Sequence, residues 1–238
     1  MILTAHQPVY LPWLGLFHKI YLANEFVFFD QVQYVPKDYI SRNEVKTNSG
    51  SILLTVPVLT KGYLEKTIAE IEINNNERWS EKHWKTIYLN YKKAPYFSKY
   101  SDFFEDTYKR EWTLLSDLNY HMLLWFLKTL GINVKVYKAG DFQFKGVKSD
   151  LVLDMCLQLK ATTYIFGKLG KDYADEKNFI DNGVLPVFQE YIHPEYAQLH
   201  GSFKPYLSVI DLLFNEGSRS LEIIMSNNIN NLEEGTKR

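Results

Sequence analysis

The chain opens on a short apolar run, Met1 to Ala5, that stops abruptly at His6, Gln7 and Pro8. LGLFHKIYLA then carries apolar residues at helical spacing, with Pro12 suited to the helix entry, and EFVFFD follows as a nearly unbroken apolar run. Strand, helix and strand in such a short span make a βαβ unit, and the apolar continuity of EFVFFD is that of a parallel strand covered on both faces. A polar loop, VQYVPKDYISRNEVKTNSG, leads to a third strand candidate in SILLTVPVL, and IAEIEI reads as a short strand. Residues 61 to 130 are otherwise helical in pattern. ERWSEKHWKTIYLNYKKAPYF has a start signal at Ser80, aligns Trp84, Ile87, Tyr88 and Tyr91 on one face, and stops near Pro95. LLSDLNYHMLLWFLKTLG is a second helix, closed by Gly131. Further on, NVKVYKAG, TYIFG and LPVFQEY read as strands, and SDLVLDMCLQLKA and PYLSVIDLLFNEG as helices.

This order predicts an α/β fold: an open, mostly parallel, Rossmann-like sheet with helices on both faces, and a helical cap or subdomain over about 75–130. One domain is expected over 1–225, followed by a polar, frayed tail over 226–238. Composition agrees with a globular chain: 46% hydrophobic, 23% charged and 16% aromatic residues exclude disorder over most of its 238 residues. The net charge of −1, with signs interleaved, gives no general attraction to nucleic acid. With Cys156 as the one cysteine an intrachain disulfide is excluded, and Cys156 reads as a small buried hydrophobe. No apolar run reaches the length of a membrane span, so a cytoplasmic protein is expected.

Ligands bind outside the carboxyl ends of the strands of an open parallel sheet. Four polar clusters fall on that edge: His6 and Gln7, Asp30 and Gln33, Gly167 to Tyr173, and His193 to Gln198. An imidazole can hold or release a proton near neutrality, which makes His6 a candidate acid or base stiffened by Pro8 and Pro12. The loop KDYISRNEVKTNSG brings Lys37, Arg42 and Lys46 together with Asn43, a set able to hold phosphate or carboxylate oxygens. Asp211 lies among apolar residues and needs a partner, Arg42 or a backbone cap; it reads as structural. No metal-ligand spacing, Walker loop or G-x-S-x-G elbow occurs, so no metal site is expected.

HQPVYLPWLGLFHKI, FVFFDQVQY, SRNEVK, LLTVPV, ATTYIFGKLGKDY, HPEYAQ and LSVIDLLFNEG together resemble the WbqC-like family of bacterial proteins over nearly the whole chain. The family pattern falls on His6, Gln7, Pro8, Tyr10, Pro12, Trp13 and Gly15, then on Asp30, Gln33, Arg42, Asn43 and Lys46. Later it reaches Gly167, Tyr173, His193, Pro194, Tyr196, Gln198, Asp211, Asn215 and Gly217. The chain departs from it at Tyr39, often Trp in the family, and at Lys168 and Leu169, where small residues or proline are usual. The opening unit, with His18 on its helix, also resembles nucleotidyltransferase-like adenylating enzymes such as pantothenate synthetase, without their H-x-G-H signature.

The family resemblance implies a place in the biosynthesis of O-antigen and related surface glycans. The leading expectation is an acyl or aminoacyl transferase acting on an amino sugar or nucleotide-linked sugar. His6, Asp30 and His193 are its expected catalytic groups, with Asp30 orienting His6 or an incoming amine. Gln7, Tyr10, Trp13, His18, Gln33, Lys37, Arg42, Asn43, Lys46, Gly167, Tyr173, Tyr196 and Gln198 are expected to bind a small sugar or amine substrate carrying an anionic group. The alternatives are an ATP-dependent adenylating ligase, with ATP as ligand, and a non-catalytic protein that holds a sugar nucleotide or a partner.

Overall fold

The computed structural model describes residues 1–230 and Leu232. In chain order its elements are β1 (Ile2–His6), α1 (Leu14–Tyr21), β2 (Glu25–Phe28), β3 (Arg42–Thr47), β4 (Gly50–Thr55), α2 (Trp79–Tyr91), α3 (Phe97–Lys109) and α4 (Leu115–Leu130). They continue with β5 (Lys135–Lys138), α5 (Ser149–Gln158), β6 (Thr163–Phe166), α6 (Glu176–Asp181), β7 (Leu185–Phe188), α7 (Val209–Glu216) and α8 (Ser220–Met225). Five strands form one parallel sheet in the order β5, β2, β1, β6, β7.

Helices cover both faces of this sheet, as the apolar runs require. On one face Phe17 of α1 meets Phe126 of α4 at 5.7 Å between ring centres, and Phe28 of β2 meets Tyr120 at 5.0 Å. The same apolar cluster continues through Ile87, Tyr91 and Phe104 to Phe214 of α7. The opposite face is closed by Val152, Met155 and Cys156 of α5 and Phe179 of α6, packed on Tyr164 and Phe166 of β6. Cys156 is fully buried there, and burial pushes its thiol up to about 12, so it acts as a core hydrophobe. Helix α1 is buried on all sides from Leu14 to Ile20, held between the sheet and α8.

Three segments differ from the sequence expectation. SILLTVPVL does not join the parallel sheet: β4 pairs antiparallel with β3, from Arg42 opposite Thr55 to Thr47 opposite Gly50. The supposed loop is therefore a strand, whose buried residues are Asn43, Val45 and Lys46, drawn from both of its faces and mostly polar, so that hydropathy alternation does not register it. IAEIEI forms a 3-10 turn at Ile68–Glu70, closed by a capping box between Thr67 and Glu70, with only isolated bridges beside it. The start of the tail is docked: Asn228 accepts a hydrogen bond from the Ile192 amide at 2.8 Å and donates to its carbonyl at 3.0 Å. Residues 231 and 233–238 of the predicted tail lie outside the described residues. Among the described residues no helix is long and apolar enough to cross a membrane.

Candidate active site

From β1 the chain builds outward through β2 to β5, then returns past β1 to add β6 and β7 on the other side. The loops leaving β1 and β6 therefore diverge, and such a reversal opens a crevice at the carboxyl edge of the sheet. A cavity of about 910 Å³ lies at this place. Its wall includes Ala5 and His6 of β1, Gln7 to Val9 after it, Trp13, Gly15, Leu16 and Lys19 around α1, Asp38 to Ile40, the first half of α5, and Phe166 to Gly170.

His6 is the last residue of β1, and its Nδ1 lies 2.8 Å from the Gln7 carbonyl oxygen. A carbonyl can only accept, so Nδ1 carries the hydrogen and Nε2 is left as an acceptor with no partner among the described residues. Burial, reinforced by the charge of Lys19, pushes the His6 pKa down to about 3, so the ring is neutral at physiological pH. Trp13 packs against it edge to face at 5.3 Å, and Tyr39 against Trp13 at 6.2 Å. The turn that carries these groups is strained and braced. Leu11 has φ 46°, rare for any residue but glycine and unfavourable before Pro12, and the Asn43 amide holds its carbonyl at 2.6 Å.

The cavity's mouth is aromatic, with Tyr39, Tyr173 and Tyr206 all exposed beside Leu169. Gly170 lets the 168–172 turn lie directly on β6, because a Cβ there would come within 2.5 Å of the Phe166 Cβ. On the opposite wall a Cβ at Gly15 would reach 2.9 Å from the Tyr191 ring. Tyr191 lines the cavity with a buried hydroxyl that has no hydrogen-bond partner among the described residues. The charged groups are Lys19, Lys148 and Lys168 against Asp38, whose carboxylate already accepts the Tyr39 amide at 2.6 Å. The cavity is thus cationic in a protein of nearly neutral net charge.

Of the residues singled out in the sequence, His6, Gln7, Trp13, Gly167 and Tyr173 line this cavity. The expected His6–Asp30 pair is not formed: Asp30 is buried and accepts from Ser116 at 2.7 Å and Gln31 at 3.2 Å, tying the end of β2 to the start of α4. His193 is fixed as a neutral ring, its Nδ1 donating to the Pro194 carbonyl at 2.9 Å and its Nε2 accepting the Tyr206 amide at 3.1 Å. It braces the Tyr206 wall without lining the cavity. His18 is likewise locked, donating to the Ile229 carbonyl and accepting from Gln189.

The expected basic anion site is not at the cavity either. Lys37 is exposed at a left-handed φ of 63°, and Arg42 opens β3. Lys46 points inward and donates to Gln198 at 2.8 Å and to the Ser202 carbonyl. Gln198 also accepts the Lys204 amide, and Tyr196 donates to Asp211 at 2.9 Å, so these groups form an internal polar cluster beside α7. Tyr10 is fully buried and bonded to His83 and Tyr108, Asn43 holds Leu11, and Gln33 donates to the Leu64 carbonyl at 3.1 Å. Lys19, Gln189, Tyr191 and Tyr206 line the cavity and escaped the sequence reading. The one signal for Lys19 was a lysine at helical spacing from Gly15 and Leu16 inside an otherwise apolar helix. Among the described residues, no group of three or more His, Cys, Asp or Glu side chains is placed to hold a metal ion.

A model of the WbqC-like protein family matches residues 7–223 of the chain. An uncharacterized protein of Mycobacterium tuberculosis is 33% identical over 216 residues, which span 90% of this chain and 93% of that one.

Proposed function

This chain belongs to the WbqC-like protein family, and from that premise we propose that it is an acyl or aminoacyl transferase acting on the amine of a sugar or nucleotide-linked sugar in surface-glycan biosynthesis. The observation that carries this reading is the state of His6: Nδ1–H held by the Gln7 carbonyl, Nε2 free to accept, inside a cavity sized for a small molecule. In acyl transfer a substrate amine attacks an activated carbonyl, the new C–N bond forms, and the bond to the leaving group breaks. His6 Nε2 takes the proton the nitrogen must lose and returns it to the leaving group. The aromatic mouth suits a sugar ring, whose apolar face stacks on such side chains, and the lysines suit an anionic substituent.

The test is turnover followed by mass spectrometry across nucleotide-linked amino sugars and activated acyl donors. Loss of the His6 proton acceptor in His6→Gln should lower the rate by about 10²-fold or more while the circular dichroism spectrum is unchanged. Full turnover in folded His6→Gln would overturn the assignment. A second reading, an ATP-dependent adenylating ligase, draws support from Lys148 and Lys168 at the cavity. It requires saturable ATP binding and pyrophosphate release, and calorimetry with ATP and magnesium that shows no heat of binding removes it. Tight binding of a sugar nucleotide with no substrate consumed would instead favour a non-catalytic role.

A further inference from the structure

Lys19 is only 4% exposed, yet it lines the cavity. Its Nζ donates to the Ala5 carbonyl at 2.9 Å, and no carboxylate among the described residues pairs with it. An ammonium group has three hydrogens to donate, so two are left without an acceptor among the described residues. Buried charges in proteins are ordinarily paired, because removal from water costs more than one carbonyl returns. Asp38, the acidic side chain among the described residues of the wall, is engaged by its own loop at the Tyr39 amide. The cavity therefore holds a buried amine with no paired counter-charge among the described residues, a partner that a bound anion can supply.

We propose that Lys19 is the docking point for a negatively charged oxygen of the substrate, a carboxylate or phosphoryl oxygen, seated in the cavity beside His6. This deepens the transferase reading and rests on the cavity being its active site. Burial pushes the Lys19 pKa down to about 7, so near neutrality the amine is only partly charged when the cavity is without a counter-ion. An arriving anion completes the pair, restores the full charge and screens His6 from it. Because the Lys19 charge is one of the two causes that weaken His6 as a proton acceptor, docking of the anion strengthens the base that the reaction uses. Substrate charge and proton transfer are thereby coupled: a substrate lacking the anion meets a weaker base. The other charged groups around the cavity, Asp38, Lys148 and Lys168, are not among the causes that move Lys19.

A plain structural alternative exists, in which Lys19 is a strut that ties α1 to the Ala5 carbonyl of β1. Competitive acylation of the intact protein with trace acetic anhydride separates the two, read at each lysine by peptide mass mapping. Inorganic phosphate in one arm and acetate in the other should slow Lys19 acylation several-fold, with exposed Lys61 unchanged as the internal reference. Protection by phosphate alone identifies a phosphoryl group, protection by acetate alone a carboxylate, and protection by neither overturns the proposal. Lys19→Met, whose thioether chain keeps the packing, should weaken probe binding about tenfold or more. A folded Lys19→Met that binds the probes as the unaltered protein does would leave only the strut. If Lys19→Met does not fold, the protection experiment still decides. Failure here with His6→Gln still inactive would discard the anion site and keep the transferase.

Discussion

Asp211 is fully buried in the first turn of α7, where Ser208 caps the helix by accepting the Ile210 amide. One carboxylate oxygen takes the Tyr91 hydroxyl at 2.8 Å and the other takes that of Tyr196 at 2.9 Å, with Lys46 close enough to favour its charge. Removing it leaves the Tyr91 and Tyr196 hydroxyls without their acceptor and takes a nearby negative charge from Lys46, which keeps its bonds to Gln198 and the Ser202 carbonyl. Asp211→Ala should therefore cost about 2–5 kcal/mol in urea denaturation, and Tyr196→Phe only about 1 kcal/mol. A loss of turnover without a loss of stability in Asp211→Ala would instead make it part of the reaction. At this scale the sequence was legible in part where chemistry and topology coincide: His6, Gln7, Gly167 and Tyr173 follow strands at the predicted edge and line the cavity with Trp13, whereas the other two edge clusters, Asp30 with Gln33 and His193 to Gln198, do not line it. It misled where a polar side chain is satisfied internally. Lys46 and Asn43 look like ligand-binding groups because their true partners, Gln198 and the Leu11 carbonyl, lie 152 and 32 residues away. Lys19 escaped for the converse reason: a single lysine on an amphipathic helix gives no sign in the sequence that its amine is buried.

Among the elements, the parallel strands and their flanking helices were legible because each is a near-continuous apolar run or a clean helical face. The β3–β4 hairpin was not, since four of the six residues of RNEVKT are charged or amide side chains and its pairing depends on a short turn after Thr47. The 3-10 turn after β6, Lys168–Asp172, shows how a short element shapes the cavity. Gly167 to Tyr173 lies across Phe166, with the Gly170 amide donating to the Gly167 carbonyl at 2.8 Å. Phe166 itself is wedged between Tyr164, Phe179 and Phe188, so it cannot retreat from an added methyl group. Gly170→Ala should cost about 1–3 kcal/mol through overpacking and displace Leu169 and Tyr173 at the cavity mouth. Thermal denaturation gives the first quantity and substrate KM the second. An unchanged melting temperature would show that the turn can lift off β6 freely.

For the molecule as a whole, burial of weakly basic groups sets how stability responds to pH. Burial pushes His6 down to about 3 and His83 down to about 4, and it lowers His18, His121 and His193 as well. In the unfolded chain these rings titrate near about 6.5. Below that value the unfolded chain binds protons that the folded chain refuses, so stability falls as pH falls. By about pH 5 each of His6 and His83 should contribute a loss of roughly 2 kcal/mol, and the full loss is reached only near their folded pKa values. Lys19 acts in the same direction at higher pH, its lowered affinity making stability rise between about 7 and 10.5. Asp211 opposes the trend, since burial raises its proton affinity and acid favours the folded form there, but it is one group against five imidazoles. The carboxylates held low by their partners, such as Glu44 with Lys204 and Ser51, lose their contribution only below their ordinary value of 4.5. Urea midpoints measured from about pH 7 down to about pH 5 should therefore decline steadily, ahead of any carboxylate effect. A level profile would mean that His6 and His83 accept protons within the fold with the affinity of an ordinary imidazole.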